Sequence, residues 1–261
     1  MTPAPRTAVP PGLVARARRW APAAGVLAAV AAVSPPVESW AGAGTGHHMV
    51  QHLGLIVIVA PLLAVAAAVS PPARGIVGRA PVASLAGAAA LHAGTVAFWH
   101  VPGPYDAAVD ATPLHAVEHL TLLGGAVALW AALAIAGQRS PLVALAAIFV
   151  SAVVATGIGA LLTFAPRPVY ELSSTTADPL RDQQLAGLIM WVPGGIPYVA
   201  AAAVVIGAAV VRATGERGPV VAPGLRSAAP GVREAAGGAP AAGRASGGRP
   251  PGGGGPAEVG R

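Results

Sequence analysis

Long apolar runs separated by short polar ones fill the first 211 residues of the chain. A helix that crosses a bilayer needs about 20 mostly apolar residues at about 1.5 Å each. Five runs meet that requirement: 48–69, 82–101, 113–136, 141–163 and 183–211. A sixth, 20–33, is shorter and follows Arg16, Arg18 and Arg19. It reads as a retained helix rather than a signal-peptide core, because Ser34, Pro35 and Pro36 follow it in place of a small-residue cleavage site. The pattern predicts an all-α, polytopic transmembrane helix bundle of six spans over residues 20–211. Residues 1–19 then form an Arg/Pro-rich N-terminus and residues 212–261 a tail.

The charges orient this bundle. Arg6, Arg16, Arg18 and Arg19 precede the first span, Arg74 and Arg79 separate the second from the third, Arg139 separates the fourth from the fifth, and Arg212 and Arg217 follow the last. The alternate loops hold Glu38, then Asp106 and Asp110, then a mixture around Glu171, Asp178 and Asp182. Positive loops remain on the cytoplasmic side, so both termini are expected there. Trp40, Trp99 and Trp130 fall near span ends, as an interfacial aromatic belt requires. From Arg212 onward Gly and Pro dominate and aromatics vanish, which predicts a disordered tail that cannot offset the entropy of ordering.

Composition agrees: 54% of residues are hydrophobic and 10% charged, against about 25% charged in an ordinary soluble domain. The net charge of +6 does not imply nucleic acid, because the arginines sit between apolar runs with no interleaved aromatics. The absence of Cys excludes disulfides, thiolate metal sites and CxxC redox chemistry. A metal held by this chain has only His, Met and carboxylates to bind it.

Seven histidines stand out in so apolar a sequence. His47, His48 and His52 open the second span, His100 closes the third, and His115 and His119 open the fourth, all at the expected outer end. His92 lies eight residues inside His100, about 12 Å deeper. His48 with His52 and His115 with His119 are i, i+4 pairs, which share a helix face. Two such pairs at one depth offer four nitrogen ligands. Glu118 is placed to orient an imidazole or add a carboxylate, and Met49 and Met190 are soft donors. Imidazole suits Cu, Zn, Fe and Ni, and thioether favours Cu(I), so copper is the expected ion and haem iron the alternative.

Within the fifth span, Ser151, Ala155, Gly159 and Thr163 form a small-residue ridge for close helix packing. In the sixth, Pro193, Gly194, Gly195 and Pro197 are expected to interrupt the helix, as a kink or as part of a site. The run His115-Ala116-Val117-Glu118-His119 also matches the H-x-x-E-H protease pattern. That reading needs a third acidic ligand from Glu171, Asp178 or Asp182.

Several blocks together resemble the polytopic CtaG family of bacterial cytochrome c oxidase assembly proteins, which serve caa-type oxidases. They are His48-Met49-Val50-Gln51-His52, Trp99-His100-Val101-Pro102 with Tyr105-Asp106, His115 to His119, Thr163 to Tyr170, and Asp182 to Trp191 followed by Pro193-Gly194-Gly195. The resemblance covers about residues 20–211 and implies a multi-pass plasma-membrane protein that matures a haem–copper oxidase by handling copper. It carries over His48, His52, His100, His115, Glu118, His119, Asp182, Gln183 and Met190 as site residues. Its implied partners are cytochrome c oxidase subunits, the lipid bilayer and periplasmic copper chaperones. On this reading His48, His52, His115 and His119 hold copper and His100 is an alternate ligand. Met190 and His92 form a deeper relay, and Glu118, Asp182 and Gln183 support the ligands from behind; no enzymatic step is expected. A bis-His b-type haem carrier, a copper permease and a scaffold without an ion are the other readings the same residues allow.

Overall fold

The structure is a computed structural model that describes residues 11–170 and 176–216. The described residues form helices and connecting turns without a strand. Helix α1 (Pro11–Ala32) begins within the Arg/Pro-rich N-terminal stretch and runs through Arg16 to Arg19. Of the expected tail, residues 212–216 continue the last helix (Pro179–Glu216), and residues 217–261 lie outside the described residues.

Helix α2 (Pro35–Ala41) follows α1 after a sharp bend, with Ser34 at its N-cap and prolines in its first turn. The segments 19–32 and 35–41 meet at 56°. Proline is compatible with a helix start and disfavours helix at the residue before it, so Ser34-Pro35-Pro36 makes the bend. The next span opens with α3 (Thr45–Gly54), passes through one π-helical turn (Leu55–Val59) and continues as α4 (Ala60–Val69). Pro61 lacks the N–H that an α-helical ladder would use, and its ring crowds the carbonyl one turn back. The wider turn just before it relieves that conflict, and the Ile56 carbonyl accepts from Trp130 Nε1 at 3.1 Å. A short helix, α5 (Pro71–Arg79), precedes α6 (Pro81–Trp99). A second short helix, α7 (Pro102–Asp110), lies before α8 (Thr112–Ala136). Helices α9 (Pro141–Phe164) and α10 (Pro179–Glu216) complete the bundle.

Five helical stretches are long and apolar enough to cross a membrane: 45–69, α6, α8, α9 and 179–215. The bent pair α1–α2 makes a sixth when counted as one broken span. Helix α4 packs along α8, α8 along α6, α6 along α9, α9 along α10, and α10 returns to α3, with α1 against α4. The core between them holds Leu85, Val96, Leu122, Leu129 and Ile148 among many alanines. Outward-facing Leu91, Leu120, Phe149, Leu161 and Val199 stay more than half exposed. That inversion is what a lipid-facing surface needs.

Helix α10 corrects one expectation. Its backbone stays helical through Pro193, Gly194, Gly195 and Pro197. Packing against α9 over much of its length supports it there, and prolines are tolerated in buried spans where neighbours compensate for the lost bonds. The small-residue ridge explains this packing. A Cβ built on Gly159 would lie 2.9 Å from the Gly187 carbonyl oxygen, and one on Gly187 would lie 2.5 Å from the Gly159 oxygen. The two backbones therefore touch.

Candidate metal centre

The site forms where α3 and α8 begin and α6 ends. Helix α3 presents His48 and His52 one turn apart, and α8 presents His115, Glu118 and His119 at i, i+3 and i+4. The four paired imidazoles meet: ring centroids are 4.2 Å apart for His48–His52, 5.1 Å for His48–His115, 5.2 Å for His52–His119 and 4.3 Å for His115–His119.

Glu118 is the centre of the group and is fully buried. Its carboxylate oxygens lie 3.8 Å from His48 Nε2, 3.7 Å from His52 Nε2 and 3.9 Å from His115 Nε2. These separations are too long for hydrogen bonds. They are near what one ion demands, since bonds of about 2.0–2.2 Å in a tetrahedral site hold the donor atoms about 3.3–3.6 Å apart. One donor atom from each of His48, His52, His115 and Glu118 fits within a 4.8 Å set. None of these nitrogens, nor either Glu118 oxygen, has a hydrogen-bond partner, although all are buried. Buried polar atoms left unpaired cost about 1–3 kcal/mol each, and a cation bound among them would satisfy several at once. The donor set of imidazoles and carboxylate therefore fits a borderline transition-metal ion.

Glu38, which the sequence reading used only to orient a loop, belongs to the same cluster. It reaches from α2 to within 3.5 Å of His115 Nδ1 and 3.6 Å of His119 Nδ1. Gln51 Nε2 holds it in place, donating to Glu38 Oε1 at 2.8 Å and to the Ala32 carbonyl at 2.8 Å. The available signal was a lone acid inside an otherwise uncharged segment at the same expected depth as the histidines.

His100 stands next to this group, 6.5 Å from His52 between ring centroids. Its Nδ1–H donates to the Val96 carbonyl at 2.7 Å, which leaves Nε2 as the lone-pair nitrogen. Burial lowers its pKa, partly offset by that carbonyl and by Glu118, so it is held neutral and able to bind a cation. Met190 shares the wall of a small cavity of about 30 Å³ with Met49, His52, His100 and Tyr198. His92 lies outside the cluster, with Nε2 2.7 Å from the Tyr198 hydroxyl. His47 turns away to the Trp40 ring at 4.7 Å.

Aromatic side chains cover the cluster. Tyr105 from α7 meets His48 edge-on at 5.6 Å and stacks on Tyr170 at 3.9 Å. The Tyr170 hydroxyl donates to the His100 carbonyl at 3.2 Å. Burial raises the pKa of both phenols, so they remain neutral.

Asp182 and Gln183 serve the scaffold. Asp182 accepts from the Thr45 and Gly46 N–H groups at 2.6 and 3.2 Å, capping α3 from another helix. Gln183 accepts from the Val169 N–H at 2.6 Å and is fully buried. Their polar atoms are spent on backbone that sets the start of α3 and the loop after α9. Replacing Asp182 with Ala is expected to cost about 1 kcal/mol, the value of a helix cap. Thermal unfolding should record that loss while one metal per chain is retained. A loss of metal with unchanged stability would instead make Asp182 part of the site.

These features define a multi-span helical membrane protein with a buried His/Glu cluster at one end of the bundle. The model of the cytochrome c oxidase caa3 assembly factor family (Caa3_CtaG) matches residues 4–211, and the chain belongs to that family. No curated protein and no solved structure matches it.

Proposed function

We propose that this chain is a plasma-membrane assembly factor that binds copper between His48, His52, His115 and Glu118 and helps to load a copper centre of the oxidase. Membership of the family carries the role in oxidase assembly. The copper reading rests on one observation: a fully buried carboxylate faces three imidazole nitrogens at 3.7–3.9 Å, and neither side has another partner. His119 adjoins the four, its ring 5.2 Å from that of His52, and the thioethers of Met190 and Met49 line a small cavity together with His52 and His100. With the arginine-poor loops outward, the cluster faces the compartment that supplies copper through periplasmic chaperones and contains the oxidase subunits that receive it.

The geometry favours a bare ion over haem. Glu118 stands between the helix pairs, where a macrocycle ligated by two histidines would have to lie. The H-x-x-E-H reading does not gain its third ligand from Asp182, which caps α3, or from Asp178, which accepts from the Arg181 N–H in the first turn of α10. Glu171 is outside the described residues.

Copper content of detergent-purified protein tests the proposal. The wild type is expected to hold one ion per chain. His52→Ala is expected to lose it, and His119→Ala to hold it more weakly by about 10-fold, the smaller effect of a neighbouring group. Undiminished copper in both variants would remove the assigned ligands, and a Soret band in the pure protein would replace copper with haem.

A further inference from the structure

The cluster contains two overlapping groups that differ in their access to the outside. Glu38, His115 and His119 also place one donor atom each within 4.8 Å of one another. The Glu38 and His115 side chains are 29% and 20% exposed, whereas Glu118 is fully buried and His52 is 2% exposed.

His115 belongs to both groups, through different nitrogens. Its Nδ1 lies 3.5 Å from Glu38 Oε2, and its Nε2 lies 3.9 Å from Glu118 Oε2. We propose that Glu38, His115 and His119 form an entry station for a divalent borderline cation, which then passes through the shared His115 to the inner site at His48, His52 and Glu118. This rests on the metal-binding reading above and adds the route to that site. The entry station has imidazole and carboxylate donors and no thioether, a set that suits a dication such as Cu(II) rather than Cu(I). His119 is 6% exposed, and its Nε2 has no partner.

A neutral imidazole has one N–H and one lone pair. With the ion at the entry station, Nδ1 binds it and Nε2–H points to Glu118. With the ion inside, Nε2 binds it and Nδ1–H points to Glu38. A carboxylate therefore stands opposite whichever nitrogen is the ligand, the arrangement that strengthens a metal-bound histidine. Passage exchanges the tautomer of His115 with no net proton and no electron moved. The Nε2 proton passes to the Glu118 carboxylate it faces and on to water as the ion enters, and Nδ1, beside the part-exposed Glu38, takes one from water. Holding one ion in each station would require both nitrogens deprotonated beside two adjacent cations, so the stations are occupied in turn and the chain holds one ion.

Time-resolved loading of the full-length detergent-purified protein with Cu(II) tests this. Glu38→Gln keeps the side-chain length and an acceptor oxygen for Gln51, so the fold is retained. It is expected to slow loading at least 10-fold, while at saturating Cu(II) the final content still reaches one ion. In a His48→Ala, Glu118→Gln double variant the ion should stop at the entry station. Its electron paramagnetic spectrum should then show two imidazole nitrogens, and a chelator should strip it at least 10-fold faster than from the wild type. Adding Glu38→Gln to that variant should abolish binding. Loading of Glu38→Gln at the wild-type rate would overturn the entry station, as would two ions per wild-type chain or complete loss of copper in Glu38→Gln alone. Absence of copper from the wild type would overturn the metal-binding reading itself.

Discussion

Glu118→Gln should reduce copper affinity by about 100-fold or more, since loss of even an outer partner of a metal ligand costs about 10–100-fold and Glu118 supplies the donor that faces three imidazoles. The substitution conserves volume and removes a buried charge, so the metal-free variant should unfold at a temperature no lower than that of the wild type. The two proteins should separate once copper is added. A ligand present at 100 times its dissociation constant stabilises the folded state by about 2.7 kcal/mol, whereas a variant bound 100-fold more weakly gains at most about 0.4 kcal/mol at the same concentration, so the wild-type midpoint should rise far more than that of the variant. Thermal unfolding with and without copper reads both effects. An equal copper-induced shift in the two proteins would show that Glu118 is not a ligand. A metal-free variant much less stable than the wild type would show that the carboxylate supports the fold instead.

Gly187→Ala is expected to have the largest effect on stability. The added methyl would lie 2.5 Å from the Gly159 oxygen, 2.6 Å from the Thr163 nitrogen and 2.7 Å from the Thr163 hydroxyl. Two of those neighbours are helix backbone, which cannot rotate aside as a side chain can. Overpacking commonly costs about 1–3 kcal/mol, and a clash with rigid backbone belongs at the upper end, about 3 kcal/mol. Because α9 and α10 must separate to accept the methyl, and α10 also packs along α3, α3 would shift and carry His48 and His52 with it. Copper binding should therefore weaken together with stability. Gly157→Ala is the control, since a Cβ there meets nothing within 4 Å and alanine favours helix by up to about 1 kcal/mol. A Gly187→Ala protein as stable as Gly157→Ala would refute the account of this helix pair.

The two substitutions mark different limits of what could be read from the chain. The spans were legible because a bilayer imposes a length and a polarity that any local window detects. Gly159 and Gly187 behave as the small-residue pattern around Gly159 anticipated, although the partner helix was not named. The π turn before Pro61 and the unbroken helix through Pro193 and Pro197 were not legible. Whether a proline widens, kinks or leaves a helix depends on what packs beside it. The site divides similarly: the i, i+4 spacing already placed His48 with His52 and His115 with His119, whereas Glu38 was missed because nothing local ties α2 to α8.

By itself the sequence determined that the chain forms apolar helices of membrane length and that its histidines gather toward one end of them, because both follow from periodicity and composition within each segment. Tertiary packing alone decided which helix faces turn inward. It brought Glu38 and Glu118 to opposite nitrogens of His115, set Asp182 and Gln183 to backbone capping, and left His92 with Tyr198 away from the cluster. The physical reason is that a ligand set is a relation between helices. The rotation and depth of each helix are fixed by contacts such as Gly159 against Gly187, which lie far along the chain from the groups they bring together.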